Sequence, residues 1–402
     1  MTARIKLSIL FTCLFCAFTF SNPSFSMDSH YKDLLIRMVN QNSDSENYAG
    51  NESVRKMIIP EMKKMGFEVD VVQSQTNKNR YVLHACVKNS HPEILFIGHI
   101  DTVFPSETGF TKFTEDANKM YGPGVTDMKG GIVLILNVIN NLTKEERKHV
   151  QIIVNDDEEP GSSDSRLVYK NMLSDAKYAL VFESSSAQGN LVTSTAGAYT
   201  FSINAKGVST HAGNNFYDGV NACSELSLII PQILNLTNKE DGVTVSLGSI
   251  NGGAKSNNVC EDATAIFDLR YSKFDDIKRI NVEIEKIISS NKTHYHNTNA
   301  QVFFTLQSMS HCSPMESRFS SKIYNSAVKA AKETNMKIAK EHTNGTNDGN
   351  ILLEYGVPNV ISGLGMPGGN IHTTDEYAIT EGYNQMLIFD TALVKDLIRD
   401  LT

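Results

Sequence analysis

The sequence predicts an α/β fold, a mostly parallel sheet flanked by helices, with a smaller α+β domain inserted into it. Three observations point there. Four short apolar runs, "EILFIG" (93–98), "VQIIV" (150–154), "YALVF" (178–182) and "PNVIS" (358–362), each give way to polar residues or glycine, as buried strands do. Helical stretches alternate with such runs, the pattern of strand–crossover–strand units. Between residues 196 and 307 the texture changes to strands of half-exposed alternation separated by two helices.

Along the chain, Arg4 and Lys6 precede an apolar run from Leu7 to Phe20, with Ser24 and Ser26 placed for cleavage before Met27. The run is short for a bilayer span and reads as a removable secretory signal over residues 1–26, leaving no membrane insertion after its removal. Two helical patterns follow, "SHYKDLLIRMVNQ" and "NESVRKMIIPEMKKMGF", then β-rich "FEVDVVQS" and "YVLHACV". The core strands complete the first part of the main domain over 27–195. The insert, 196–307, holds "AYTFSINAKG", "GVTVSLGSING" and "DATAIFDLRYS" with the helices "NACSELSLIIPQILNL" and "FDDIKRINVEIEKIISSN". The second part of the main domain, 308–402, resumes with "KIYNSAVKAAKETN" and closes on "GYNQMLIFDTALVKDLIRDL".

A chain of 402 residues with 41% hydrophobic and 20% charged residues is long enough for two globular domains. Its net charge of −8 offers no basic surface, which excludes nucleic acid and anionic membranes as main partners. Of six cysteines, Cys13 and Cys16 lie in the leader. The other four, Cys86, Cys223, Cys260 and Cys312, form no C-x-x-C pair, so neither a zinc ribbon nor a redox motif is indicated. Export permits a disulfide among them, but spacing assigns none.

In open α/β sheets, ligands bind beyond the carboxyl ends of the strands. There the sequence places His99 and Asp101 after "EILFIG", Asp156, Asp157, Glu158 and Glu159 after "VQIIV", Glu183 after "YALVF", and His372 beyond the glycine-rich loop that follows "PNVIS". Asp127 lies in "GPGVTDMKGG", entering the apolar helix "IVLILNVINNL". Crowded carboxylates need protons or cations to compensate them, and carboxylate with imidazole suits Zn²⁺ and similar divalent metals. Asp101 is spaced to hydrogen-bond the other nitrogen of His99. In "NDDEEPG", Asp156 and Asp157 fit a solvated loop, whereas the turn made by Pro160 and Gly161 brings both Glu158 and Glu159 to the site.

The motifs "GHIDTVFP", "YGPGVTDMKGG", "NDDEEPGSSDSR", "VFES", "GVSTHAG" and "HTTDEY", in this order, resemble the two-zinc exopeptidase and amidohydrolase family, closest to its glutamate carboxypeptidase branch, with aminoacylase and succinyl-diaminopimelate desuccinylase as further members. The resemblance spans nearly all of the chain after the leader and implies a zinc exopeptidase-like fold whose insert is a lid and dimerisation domain. It implies two divalent metal ions, Zn²⁺ with Co²⁺ or Mn²⁺ as alternatives. His99 and Glu183 would hold one, Glu159 and His372 the other, and Asp127 would bridge them. It makes Glu158 the general base, Asp101 the carboxylate orienting His99, His211 a group reaching the partner subunit's site in a homodimer, and Asn257 and Arg270 contacts to the substrate's carbonyl and carboxylate.

Glu183, where aminopeptidase members carry Asp, favours cleavage beside a free carboxylate in a small peptide or N-acyl amino acid. The expected protein is therefore an exported, periplasmic or secreted metallo-carboxypeptidase or amidohydrolase. N-acyl-amino-acid deacylase and aminopeptidase or dipeptidase are the alternatives within the family, and an exported solute-binding protein is the alternative outside it. Two departures stand out: Cys260 occupies a position where the family usually has proline, and "NGTNDGN" is looser than the family's pattern, which leaves Asp348 out of the site.

Overall fold

Strands apolar on both faces need helices on both faces, and the core divides along that alternation. In the computed structural model, which describes residues 27–173, 175–290 and 302–402, Ile94 and Phe96 pack into one cluster while their neighbours Leu95 and Ile97 pack into another. The first cluster includes residues of the helices Ser29–Asn40, Tyr48–Lys64, Ser321–Glu333 and Thr380–Leu401, and of Lys129–Asn140, which is buried along almost its whole length. The second is closed by the short helices Arg166–Tyr169 and Asp348–Glu354.

The six-stranded central sheet has the order Phe67–Gln73, Tyr81–Val87, Val150–Asn155, Ile94–His99, Tyr178–Val181, Val360–Ile361. Its last four strands are mutually parallel; the first two form an antiparallel hairpin that pairs antiparallel with Val150–Asn155. From Ile94–His99 the chain passes first to the strand on one side and then to the strand on the other, so the strand order reverses there, the usual place for a ligand crevice. Register sets His99 beside Asn155 and Ile97 beside Val181, which puts the functional strand ends in one row.

The insert is an antiparallel sheet ordered Thr244–Gly252, Asp262–Tyr271, Gly197–Lys206, Phe303–Cys312. The helices Ala222–Leu234 and Asp276–Ser290 cover one face through Ile229, Ile280 and Ile284 packed with Phe201, Phe267 and Leu269. Its last strand runs to Cys312, past the expected boundary at 307, because Gly197–Lys206 pairs along the whole of it. Asn221 caps the first helix by accepting from the Ser224 amide at 3.0 Å, and a disulfide joins Cys223 in that helix to Cys260 just before the strand Asp262–Tyr271. Cys86 and Cys312 are free thiols. The expected signal, 1–26, lies outside the described residues; among those described, no helix is long and apolar enough to cross a membrane.

Candidate metal centre

His99 ends its strand with no side-chain exposure. Its Nδ1 lies 3.1 Å from the Asp101 carbonyl and 3.3 Å from Asp101 Oδ1, so this nitrogen carries the proton and donates it. That leaves Nε2 facing inward, buried and without a hydrogen-bond partner among the described residues. Around it stand Asp127 Oδ1 and Glu183 Oε1 at 3.4 Å each and Glu158 Oε2 at 3.9 Å. On the other side, Asp127 Oδ2 lies 3.4 Å from His372 Nε2, which lies 3.1 Å from Glu159 Oε2. Each oxygen of Asp127 thus faces a different histidine. Two triads result, His99–Asp127–Glu183 and Asp127–Glu159–His372, each with its donor atoms within 4.8 Å of one another.

An orphaned imidazole nitrogen among carboxylate oxygens is what a divalent cation fits, and the donor set is of the kind zinc takes. The electrostatics agree. Burial pushes the Glu183 carboxyl up to about 7 and, with the charge of Glu183, lifts Glu158 well above the usual range. Hydrogen bonds to Asp127 and Glu159 raise His372 to about 10. Burial acts to lower the His99 imidazole, but Glu183 and the other acids around it outweigh that and hold it well above its ordinary value. Protons here supply the positive charge the carboxylates demand, and bound cations would supply the same.

The loop between Asp157 and Ser162 turns both glutamates inward. Ser162 N–H donates to the Asp157 carbonyl at 2.7 Å and Gly161 N–H to the Glu158 carbonyl at 2.6 Å, with Gly161 and Ser162 at φ of 97° and 52°. The fully buried Asp101 fixes this loop to His99, since it accepts from the Glu158 and Glu159 amides at 3.2 Å each and from Ser45 Oγ at 2.7 Å.

The solvated reading of Asp156 and Asp157 is wrong. Both are buried; Asp156 pairs with Arg55 and accepts from the Tyr81 amide, while Asp157 accepts from the amides of Asp164 and Ser165 and from the Ser165 hydroxyl. They peg the loop from below because its backbone and nearby arginines offer them donors, which a one-dimensional charge count does not show.

Two further carboxylates brace the site. Glu376, fully buried, accepts from the amides of Gly124, Thr126 and Asp127 at 3.0 to 3.2 Å and so holds the loop that presents Asp127. It sits inside "HTTDEY", four residues after His372, where the sequence pattern singles out only the histidine. Asp348 accepts from Ser162 Oγ and Asn155 Nδ2 at 2.6 Å each and from the Tyr169 hydroxyl at 3.2 Å, supporting the glutamate loop from its far side. The segment "NGTNDGN", looser than the family's pattern, still caps the helix Asp348–Glu354, with Asn347 Oδ1 accepting from the Gly349 amide at 2.9 Å.

A cleft of about 510 Å³ opens over the cluster, and its walls include Glu158, Glu183, His372, Arg270 and Glu341. Arg270 is oriented there by Asp268, to whose carboxylate its Nε and Nη2 donate at 2.8 and 3.0 Å. The structure brings His99, Asp101, Asp127, Glu158, Glu159, Glu183, His372 and Arg270 together. His211 and Asn257 are not in this cleft. They lie before the start of the strand Asp262–Tyr271 whose end carries Arg270, and ten residues of strand separate the two ends by roughly 30 Å. They do meet each other: Ala212 N–H donates to the Asn257 carbonyl and Val259 N–H to the Thr210 carbonyl, both at 2.9 Å. His211 Nδ1 accepts from the amides of Gly213 and Asn214 at 3.1 Å, which leaves the Nε2 proton of this exposed ring as an outward donor.

This arrangement is that of a dinuclear metallohydrolase. The chain matches peptidase family M20/M25/M40 over residues 95–394 and belongs to it. It is 26% identical to carboxypeptidase G2 of Pseudomonas sp. (strain RS-16) over 371 residues, 90% of this chain and 88% of that one. It is 23% identical to succinyl-diaminopimelate desuccinylase of Blochmanniella pennsylvanica over 395 residues, 91% and 97% of the two chains. The solved structure of an aminopeptidase, PepT, from Bacillus cereus shares the fold at a TM-score of 0.75 and 17% identity, over 93% of this chain and 99% of that one. The protein is a metal-dependent hydrolase of the peptidase and amidohydrolase kind.

Proposed function

We propose that this protein is an exported two-metal hydrolase that cleaves an amide or peptide bond beside a free carboxylate. The observation that carries this reading is one cleft in which Glu158 stands next to both metal triads and Arg270 faces them from the lid. His99 and Glu183 would hold one cation and Glu159 and His372 the other, with Asp127 shared by the two triads. Two divalent cations, Zn²⁺ by the donor set and Co²⁺ or Mn²⁺ by similar preference, would supply Lewis acidity there.

The remaining work falls to the chain. Glu158, whose carboxyl neither triad includes, takes the proton from the attacking water and returns it to the departing amine. Asp101 keeps the Nδ1 proton of His99 in place so that Nε2 stays a ligand. Arg270, pre-oriented by Asp268, receives the substrate carboxylate. His211 presents its Nε2 proton to the developing oxyanion, a donor worth about 3 to 4 kcal/mol, and Asn257 accompanies it. Because both stand far from their own cleft, they act on the site of a second copy in a homodimer built through the lid. Export is supported by the signal-like leader and by the Cys223–Cys260 disulfide, a bond that persists in oxidising compartments.

A hydrolysis panel on metal-replete enzyme tests the reading: N-acyl amino acids and N-blocked peptides with free carboxylates against free-amine peptides with blocked carboxylates. Turnover of the first set supports it. Turnover confined to the second rejects it in favour of an aminopeptidase.

A further inference from the structure

The cleft holds one carboxylate for which the metal triads and the mechanism have no use. Glu341 lies in the strand Lys340–Thr343, which pairs in parallel with Leu191–Thr195, and the register shifts between Glu341 and His342. Such an irregularity re-aims side chains. Here Glu341 and Thr343 line the cleft, while His342 stands 3.0 Å from Ser194 Oγ.

Oε2 of Glu341 is buried and has no hydrogen-bond partner among the described residues. The nearby cations are turned elsewhere: Lys340 lies over the Tyr324 ring at 4.7 Å, and Arg270 is engaged by Asp268. Burying a carboxylate oxygen without a protein donor is costly, and because Glu341 lines the cleft, a small shift of its side chain brings the carboxylate to a donor that enters there. It belongs to neither metal triad. The group that fits a lone, partly desolvated carboxylate in a substrate cleft is an ammonium, a compact charge with three donors.

We propose that Glu341 is a specificity-determining residue that binds an ammonium group of the substrate. Resting on the reading of Arg270 as the carboxylate contact, this makes the substrate class one that carries a positive charge as well as a free carboxylate. The ammonium belongs either to a basic side chain or to the free α-amine of a dipeptide.

The test measures binding, so that it does not depend on which bond is cut. Calorimetry on metal-replete Glu158→Gln protein, with and without Glu341→Gln, compares N-acetyl-lysine with N-acetyl-norleucine, and glycyl-leucine with N-acetyl-glycyl-leucine. Each ligand is also presented as its carboxamide. A preference of at least about tenfold for the cationic member of either pair, lost with Glu341→Gln while melting temperature and metal content hold, supports the inference, and the responsive pair names the source of the ammonium. No cation preference in either pair, or a preference that survives Glu341→Gln, overturns it. The carboxylate-over-carboxamide ratio reads the Arg270 contact separately, so failure of that reading is visible as its own result.

Discussion

His99 and its neighbours are enclosed at the rim of a parallel sheet, whereas His211 and Asn257 stand in solvent at the far end of the lid. The first group is held by many converging constraints: strand register, Asp101 beneath the glutamate loop, and Glu376 beneath the Asp127 loop. The second is held by a few backbone hydrogen bonds and by one covalent tie, the disulfide that fastens the base of the Asn257 loop to the helix Ala222–Leu234. Ligands that repel one another without the cation need bracing from several sides to stay in place. A donor that acts only as charge develops can come from elsewhere, provided its own platform is firm.

The largest effect tests the enclosed region. Glu158→Gln is expected to lower kcat by about 10² to 10⁴-fold with metal content unchanged by elemental analysis; activity close to wild type would remove Glu158 from the mechanism. Next, His211→Ala is expected to cost about 10² to 10³-fold in kcat. In a hybrid of one Glu158→Gln and one His211→Ala subunit, one site keeps both groups, so mixing the two inactive variants restores activity if His211 acts across subunits. No recovery from confirmed hybrids would place His211 in its own site or outside catalysis.

Stripping the metals should destabilise the catalytic part by about 3 to 4 kcal/mol relative to saturating cation, seen as a lower melting temperature that added Zn²⁺ restores. The lid tip is expected to depend instead on its disulfide. Cys223→Ser with Cys260→Ser should destabilise the lid by about 2 to 4 kcal/mol and reduce kcat several-fold while bound metal stays constant; equal losses of metal and activity would show that the two regions are not separable.

The smallest effect lies in the body of the catalytic part, away from both regions. Asp390, in the helix Thr380–Leu401, is fully buried with neither carboxylate oxygen hydrogen-bonded among the described residues, and burial pushes its carboxyl well above the usual range. Because the folded-state pKa is raised, its contribution to stability is most favourable below the unfolded value of about 3.9 and is lost as pH rises toward the folded value. Asp390→Leu is therefore expected to stabilise the protein by about 1 to 3 kcal/mol at pH 8, the gain shrinking as pH falls, in denaturant titrations at several pH values.

The strand ends were readable because a buried parallel strand must be apolar, so the first polar residue after it marks the rim, as with His99 and Glu183. What stands beneath the rim was not. Asp156 and Asp157 differ from Glu158 and Glu159 only in which donors the fold sets beside them, and Glu376 and Asp348 gain their places from backbone amides and hydroxyls brought from distant segments. Glu341 left no pattern at all in the sequence, since its meaning depends on the absence of any partner around it.

By itself the sequence determined the order of strands and helices, the change of texture at the insert and the chemistry available at each strand end, because periodicity and residue type act locally. Only the tertiary structure decided which acids form the two triads and which brace the loop, that Cys223 meets Cys260, and that His211 and Asn257 stand at the far end of the lid from their own cleft. Those outcomes depend on pairing between distant segments, where burial, register and the supply of hydrogen-bond donors are settled together.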